Sequence, residues 1–175
     1  MPRTGLADAT RELLRAAVAD EEIVARFRAK IRVIPGVECA FWDSAVSGRG
    51  HGRFWLSAAG GRDVVVIAHR FAYALEYGVE ALMAVPVLGH RCDNPLCQRV
   101  GEGHIEPSSA WRNRQEFLMR RHTIGGPLRD ARGARGRARA LRDALRADPT
   151  GAAAAEAMGD GLAADAAQMP LWEQV

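Results

Sequence analysis

Hydrophobic and polar positions change rhythm several times along this 175-residue chain. Over 10–31, Leu13, Leu14, Ala17, Val18, Ile23, Val24, Phe27 and Ile31 recur at roughly helical spacing, and Thr10 is placed to cap an amphipathic helix. Pro35-Gly36 breaks the chain, and Cys39-Ala-Phe-Trp-Asp reads as a short strand. After the glycine-rich turn Ser47-Gly-Arg-Gly-His-Gly, the runs Arg53-Phe-Trp-Leu-Ser and Asp63-Val-Val-Val-Ile-Ala flank Ala-Ala-Gly-Gly, a hairpin pattern. Helical spacing returns over 69–77 and stops at Gly78. A further helix is predicted from Ser108 to about Arg121, capped by Ser108 or Ser109, with Trp111, Phe117 and Leu118 toward the core.

Beyond Gly125-Gly-Pro the pattern thins. Residues 128–147 are rich in Arg and Ala, and 150–167 are mainly Ala, Gly and acidic residues, which bury little and predict weak helix or mobility. These shifts suggest four segments: an N-terminal helical segment over 1–35, a core over 36–124, an extension over 125–167 and a terminal peptide over 168–175. The fold class expected is α+β, with small antiparallel strands and a helical tail.

Composition adds three constraints. No run of 18 uncharged apolar residues exists, so no membrane span is expected, and the N-terminus lacks an apolar leader core; a cytoplasmic location is expected. Net charge is only +3, but residues 112–146 hold eleven arginines against three acidic residues. Arginine forks match phosphate oxygens, so the block suits a polyanion, although Lys30 is the only lysine and a general bias toward arginine accounts for part of it. With Arg70 upstream, Arg112, Arg114, Arg120 and Arg121 are the expected contacts to DNA. Three cysteines make an odd count that fits metal binding better than a disulfide framework.

Two of those cysteines fall in the densest chemical stretch, His90-x-Cys92-x4-Cys97-x6-His104, with Asn113 nine residues further on. Asp93-Asn94-Pro95 is strong turn chemistry that aims Cys92 and Cys97 at one point, and His104 is placed to return as a third zinc ligand. Cys39 is the one remaining cysteine and the candidate fourth ligand. The alternatives are a Cys92–Cys97 disulfide and a Cys39 that is merely a small buried hydrophobe. His90 then remains outside the ligand set. An imidazole with an ordinary pKa of about 6.5 can take a proton from water near neutrality, and the amide oxygen of Asn113 suits a hard cation such as Mg2+. Of the other histidines, a structural hydrogen bond is expected for His69, solvent exposure for His51 and a place on the basic face for His122.

Residues 37–122 resemble the HNH endonucleases, also called the His-Me finger or ββα-metal family, and are most similar to the Cys-His-box homing endonucleases and bacterial or phage HNH proteins. The resemblance rests on the H-x-C-x4-C loop, the later zinc histidine and the asparagine nine residues beyond it, together with Cys39-Ala-Phe-Trp, His51-Gly-Arg-Phe and Ala68-His-Arg-Phe-Ala-Tyr upstream. It implies a Mg2+-dependent DNA endonuclease with His90 as general base and Asn113 as the magnesium ligand. Cys39, Cys92, Cys97 and His104 would hold a structural zinc, and Arg62 or Arg53 would assist at the scissile phosphate. Two extra residues separate Cys97 from His104, and Gly89 stands where many members place a metal-binding aspartate. The alternative function is a zinc-stapled DNA-binding module that does not cut. Double-stranded DNA is the expected partner, a nucleoid association follows from it, and a homodimer would allow both strands to be cut. Gln168-Met-Pro-Leu-Trp resembles peptides that dock on the bacterial polymerase sliding clamp, with Gln168, Leu171 and Trp172 as anchors.

Overall fold

The structure is a computed structural model, and it describes residues 4–58, 62–123 and 125–166. The clamp-like anchors Gln168, Leu171 and Trp172 lie outside the described residues. No described helix is long and apolar enough to cross a membrane.

The N-terminal helical pattern is interrupted. Helix α1 (Thr4–Ala19) ends before Asp20, whose carboxylate accepts from the Glu22 and Ile23 amides and starts α2 (Glu21–Arg28). The single helix expected over 10–31 is therefore two, Thr10 lies inside the first of them, and Ile31 belongs to a strand. An aspartate that satisfies the first free amides of a new helix makes a reorientation at that point cheap. Strand β1 (Ile31–Val33) pairs antiparallel with β2 (Ala40–Trp42). Strands β3 (Arg53–Ala58) and β4 (Arg62–Ile67) form the expected hairpin, and α3 (Ala68–Tyr77) follows directly. Gly78, at φ +88°, ends it and leads into a short helix, α4 (Val79–Ala84), that the apolar pattern did not announce.

Strand β5 (Val87–His90) pairs with β6 (Ile105–Ser108), and α5 (Ala110–Arg120) starts at Ser109, whose hydroxyl accepts from the Arg112 amide. A 3₁₀ turn (Pro127–Arg129) then leads to α6 (Gly133–Ala147) and α7 (Ala152–Ala166). Among the described residues the architecture is α+β, with three separate antiparallel strand pairs surrounded by helices.

Phe27, Trp42, Phe54 and Phe71 form the aromatic centre of the core, with ring centroids 4.8–5.9 Å apart. One ring comes from each of α2, β2, β3 and α3, so this cluster ties α2 and α3 to the β1–β2 and β3–β4 pairs. Gly52 is required beside it, because a Cβ there would lie 2.7 Å from the Trp42 ring and 2.9 Å from Ala68 Cβ.

The C-terminal extension contributes more burial than its composition suggested. Ala138, Leu141 and Leu145 of α6 and Ala154 and Ala157 of α7 belong to the same buried cluster as the core. Small side chains bury little area each, but they let backbones approach closely. Gly50 has φ +86°, and a Cβ on it would meet the Ala134 carbonyl at 2.8 Å and Ala138 Cβ at 3.1 Å. Conversely, α5 buries none of its side chains. Trp111 is 73% exposed and Phe117 is exposed as well, while Leu118 is half-buried, which reverses the core-facing orientation expected for Trp111 and Phe117. The helix stands beside the β5–β6 hairpin, with ion pairs from Arg91 to Glu116 and from Arg120 to Asp93.

Candidate metal centre and adjoining cavity

Four ligand-type side chains that are remote in sequence meet because backbone pairing brings their neighbours together. The Trp42 amide donates to the Leu96 carbonyl (2.9 Å), and the Gln98 amide donates to Ala40 (2.7 Å), which lays β2 along the loop and places Cys39 beside Cys97. The Arg91 amide donates to the His104 carbonyl (2.7 Å), next to the His90–Ile105 pair of the β5–β6 register, which returns His104 to the start of the same loop. Within the loop, Asp93 adopts φ 51°, the Asn94 side chain accepts from the Leu96 amide and the Cys97 amide donates to the Asn94 carbonyl. This is the turn that the Asp-Asn-Pro sequence favours.

The ligand atoms of Cys39, Cys92, Cys97 and His104 consequently lie within 4.8 Å of one another, a set of three thiols and one imidazole that could hold a metal ion such as zinc. His104 Nδ1 is 3.5 Å from the Cys97 sulfur and 3.8 Å from that of Cys39. With Zn–S near 2.3 Å and Zn–N near 2.0–2.1 Å, a tetrahedral ion requires S···N edges of about 3.6 Å. The donor set therefore fits. All three cysteines are free thiols, and no disulfide forms.

The other face of the histidine is also occupied. His104 Nε2 lies 3.7 Å from the Glu38 carboxylate, the outer partner that ligating imidazoles commonly have. The three sulfurs compete for protons in the absence of a cation: hydrogen bonding from Cys39 draws the Cys92 thiol down, whereas Cys39 is pushed up to about 11 by Cys92 and Cys97 is raised by Cys39. A bound divalent cation resolves that competition in favour of thiolates. Arg137, on α6, is buried at 6% exposure beside Asp130; desolvation lowers its pKa, and the Cys39 and Cys92 sulfurs act against that lowering. The extension thus brings a buried positive charge toward the sulfur cluster.

His90 and Asn113 face a cavity of about 210 Å³ next to the cysteine loop. Its polar lining includes Arg49, His51, Asp93 and Arg120, and its apolar wall includes Leu88, Phe117, Leu128 and Ala134. Leu128 and Ala134 come from the C-terminal extension, so this segment closes one side. Gly89 leaves room for the asparagine: a Cβ there would lie 3.0 Å from Asn113 Oδ1. An aspartate at position 89 and this asparagine rotamer would compete for the same space.

The least expected feature is a cluster of three imidazoles. His51 and His69 rings lie 5.1 Å apart, His51 and His90 5.6 Å, and His69 and His90 4.7 Å, measured between centroids. The Ser47 hydroxyl accepts from the Arg49 and His51 amides and folds the glycine turn, and the Ala68 amide donates to the Gly52 carbonyl, setting His51 against the first turn of α3. His51 is half-buried, where exposure was expected. His69 is buried, but its Nδ1 has no hydrogen-bond partner, where a structural hydrogen bond was expected. Both ring nitrogens of His90 are likewise buried without a partner. Burial, reinforced by the charges of His90 and Arg49, lowers the His51 pKa to about 4, and burial lowers His69 well below the ordinary value.

The predicted arginines fall in different places. Arg53 stacks its guanidinium over Trp55 at 4.9 Å and sits at the hairpin end that joins α3. Arg62 pairs with Ala58 at the opposite end, about 17 Å along the strand at the usual rise. Arg49, which no sequence motif singled out, is the arginine that lines the cavity with His90 and Asn113. Its only advance signal is its place in a turn rich in glycine. Arg120 forms a two-bond pair with Asp93 (2.8 and 2.9 Å), Arg112 pairs with Glu116, and Arg70 is half-buried with its pKa lowered by desolvation. Arg114 is exposed on α5, and so are Arg121 and His122 just beyond it. Comparison of the chain with protein-family models, with curated proteins and with solved structures returned no match.

Proposed function

We propose that this chain is a Mg2+-dependent DNA endonuclease of the HNH, or His-Me finger, type. The observation that carries the proposal is the joint placement of His90 and Asn113 in one cavity beside the cysteine–histidine cluster, on a β5–loop–β6 hairpin followed by α5. A strand pair, a loop carrying the cysteine–histidine cluster and a helix, in that order, support the ββα-metal reading.

In this reading Cys39, Cys92, Cys97 and His104 hold a zinc ion whose work is structural. It fixes the loop that immediately follows His90, so the imidazole is presented from a rigid base. His90 accepts the proton of the attacking water; neither ring nitrogen makes a hydrogen bond of normal geometry, although the Cys92 thiol interacts with the ring, and this leaves a lone pair for that role. Asn113 Oδ1 is the hard oxygen donor for Mg2+. Asp93 lines the same cavity, but its carboxylate is held by Arg120, which leaves the amide as the better donor. When bound there, Mg2+ supplies charge stabilisation at the scissile phosphate and the leaving oxygen. Arg49 is the cation best placed to meet a phosphate entering the cavity, ahead of Arg53 and Arg62. Exposed Arg114 and Arg121 extend positive charge along α5, where a duplex could track the helix.

A plasmid-nicking assay tests the proposal. Nicking should require Mg2+, stop with EDTA and fall by about 10² to 10⁴ in His90→Ala, the usual contribution of a general base, while the variant keeps its zinc and its DNA affinity. Binding of DNA without Mg2+-dependent cutting in the wild-type chain would instead identify a zinc-stapled binding module.

A further inference from the structure

We propose that His51, His69 and His90 form a second metal site, distinct from the cysteine–histidine cluster, that takes a borderline divalent transition cation such as Zn2+. The candidate ligand atoms of the three rings all lie within 4.8 Å of one another. Three imidazoles are a protein ligand set known for four-coordinate zinc with one open position. Tetrahedral Zn–N bonds require N···N edges of about 3.3 Å, so small ring rotations close the set.

The second observation is the unmet bonding capacity. His69 is 7% exposed, and its Nδ1 has no partner; both nitrogens of His90 are buried and unpartnered. Buried polar atoms are rarely left in this condition, and one such nitrogen on each of His69 and His90, beside the His51 ring, calls for a shared partner. A neutral imidazole lone pair binds a cation, whereas three facing N–H groups would repel one another. The ligand chemistry also sets the class of ion. The set holds no carboxylate, which disfavours Mg2+ or Ca2+ and favours the metals that imidazole prefers. Asp93, the carboxylate lining the neighbouring cavity, is engaged by Arg120. Arg49 faces the same cavity and opposes any cation electrostatically, so the metal–nitrogen bonds must outweigh that repulsion.

The three rings come from three different parts of the fold: the turn before β3, the first turn of α3 and the end of β5. An ion there would clamp the β3–β4 hairpin to the β5–β6 hairpin. It would also occupy the lone pair of His90. If the endonuclease reading holds, this consequence rests on it: transition-metal loading would silence the base and reduce Mg2+-supported cleavage.

Metal stoichiometry tests the site without reference to cleavage. Full-length chain equilibrated with buffered Zn2+ and measured by plasma mass spectrometry should carry two zinc ions per chain. His51→Gln and His69→Gln should each carry one, with the zinc of the cysteine–histidine cluster retained. Co2+ added to protein carrying one zinc per chain should give a ligand-field spectrum without sulfur-to-cobalt charge transfer, and His51→Gln should abolish it. A wild-type chain with a single zinc, or a second zinc unaffected by His51→Gln, would overturn the proposal. His51 is half-buried in a turn, so that variant decides the matter even where His69→Gln disturbs packing. Zinc inhibition of cleavage that is weaker in the variants would extend the result to function; absence of any cleavage in the wild type would sink the nuclease reading and leave the metal count standing.

Discussion

The two ligand clusters, one of cysteines with His104 and the other containing His90, differ in completeness. The cysteine–histidine cluster has four donors within 4.8 Å of one another, an outer carboxylate on its histidine and a buried arginine that interacts electrostatically with two of its sulfurs. The three-histidine cluster has three donors, orphaned ring nitrogens and an adjoining cavity. A closed set with satisfied outer partners is suited to holding structure, whereas an open set beside a cavity is suited to exchange of ligands. Residue type alone does not separate these roles, since histidine serves in both. What separates them is the outer carboxylate on His104 and the cavity that adjoins His90.

Removing the closed site should have the largest effect. Cys97→Ser, or chelation strong enough to strip zinc, should abolish cooperative thermal unfolding, because structural zinc supplies on the order of 10 kcal/mol or more to small domains. An unchanged melt after verified zinc loss would show that the aromatic core suffices without it. Next in size is His90→Ala, whose loss of nicking should accompany full retention of the zinc on the cysteine loop; a variant that loses that zinc would place His90 in the closed set.

A pH series sharpens the comparison further. His51 titrates near 4 in the folded chain but near 6.5 when unfolded, so the unfolded state binds the extra proton between those values. Stability contributed by neutral His51 is complete above about pH 6.5 and is lost as pH falls toward 4, by at most about 3 kcal/mol for a shift of this size. His69 acts in the same direction. Urea unfolding at pH 7 and pH 5, with zinc held to one ion per chain, should show a smaller acid loss in His51→Gln than in the wild type; equal losses would refute the burial argument. The smallest effect expected is that of Glu38→Gln. Its carboxylate is exposed and 3.7 Å from His104, so zinc affinity, measured by competition with a chelator, should fall by about tenfold or less.

The local chemistry was legible in the residues themselves. The spacing from His90 to Asn113, the Asp-Asn-Pro turn, the hairpin around Ala-Ala-Gly-Gly and the Ser109 cap are all short-range patterns with short-range causes. Asp20 was equally readable as a cap, yet the uninterrupted apolar spacing through Val24 and Phe27 concealed the break, because both helices direct their apolar faces to the same core. Trp111 misled for a related reason. A tryptophan at helical spacing suggests burial, but α5 carries ion pairs from Glu116 to Arg91 and from Arg120 to Asp93, and Trp111 is left exposed.

Which chemistry is available follows from the residues alone: three thiols, a histidine-rich set, one well-placed amide and an arginine-rich tail. Only folding settles which of these groups meet. Pairing of β2 with residues 96–98 delivers Cys39, the Gly52–Ala68 hydrogen bond delivers His51 and His69, and close packing of α6 on Gly50 closes the cavity with Ala134. Each of these is a contact between residues far apart in the chain. It is specified by backbone hydrogen bonds and by the absence of a side chain at two glycines, neither of which leaves a periodic signal in the sequence. The ligands are local, but their convergence is a property of the packed chain.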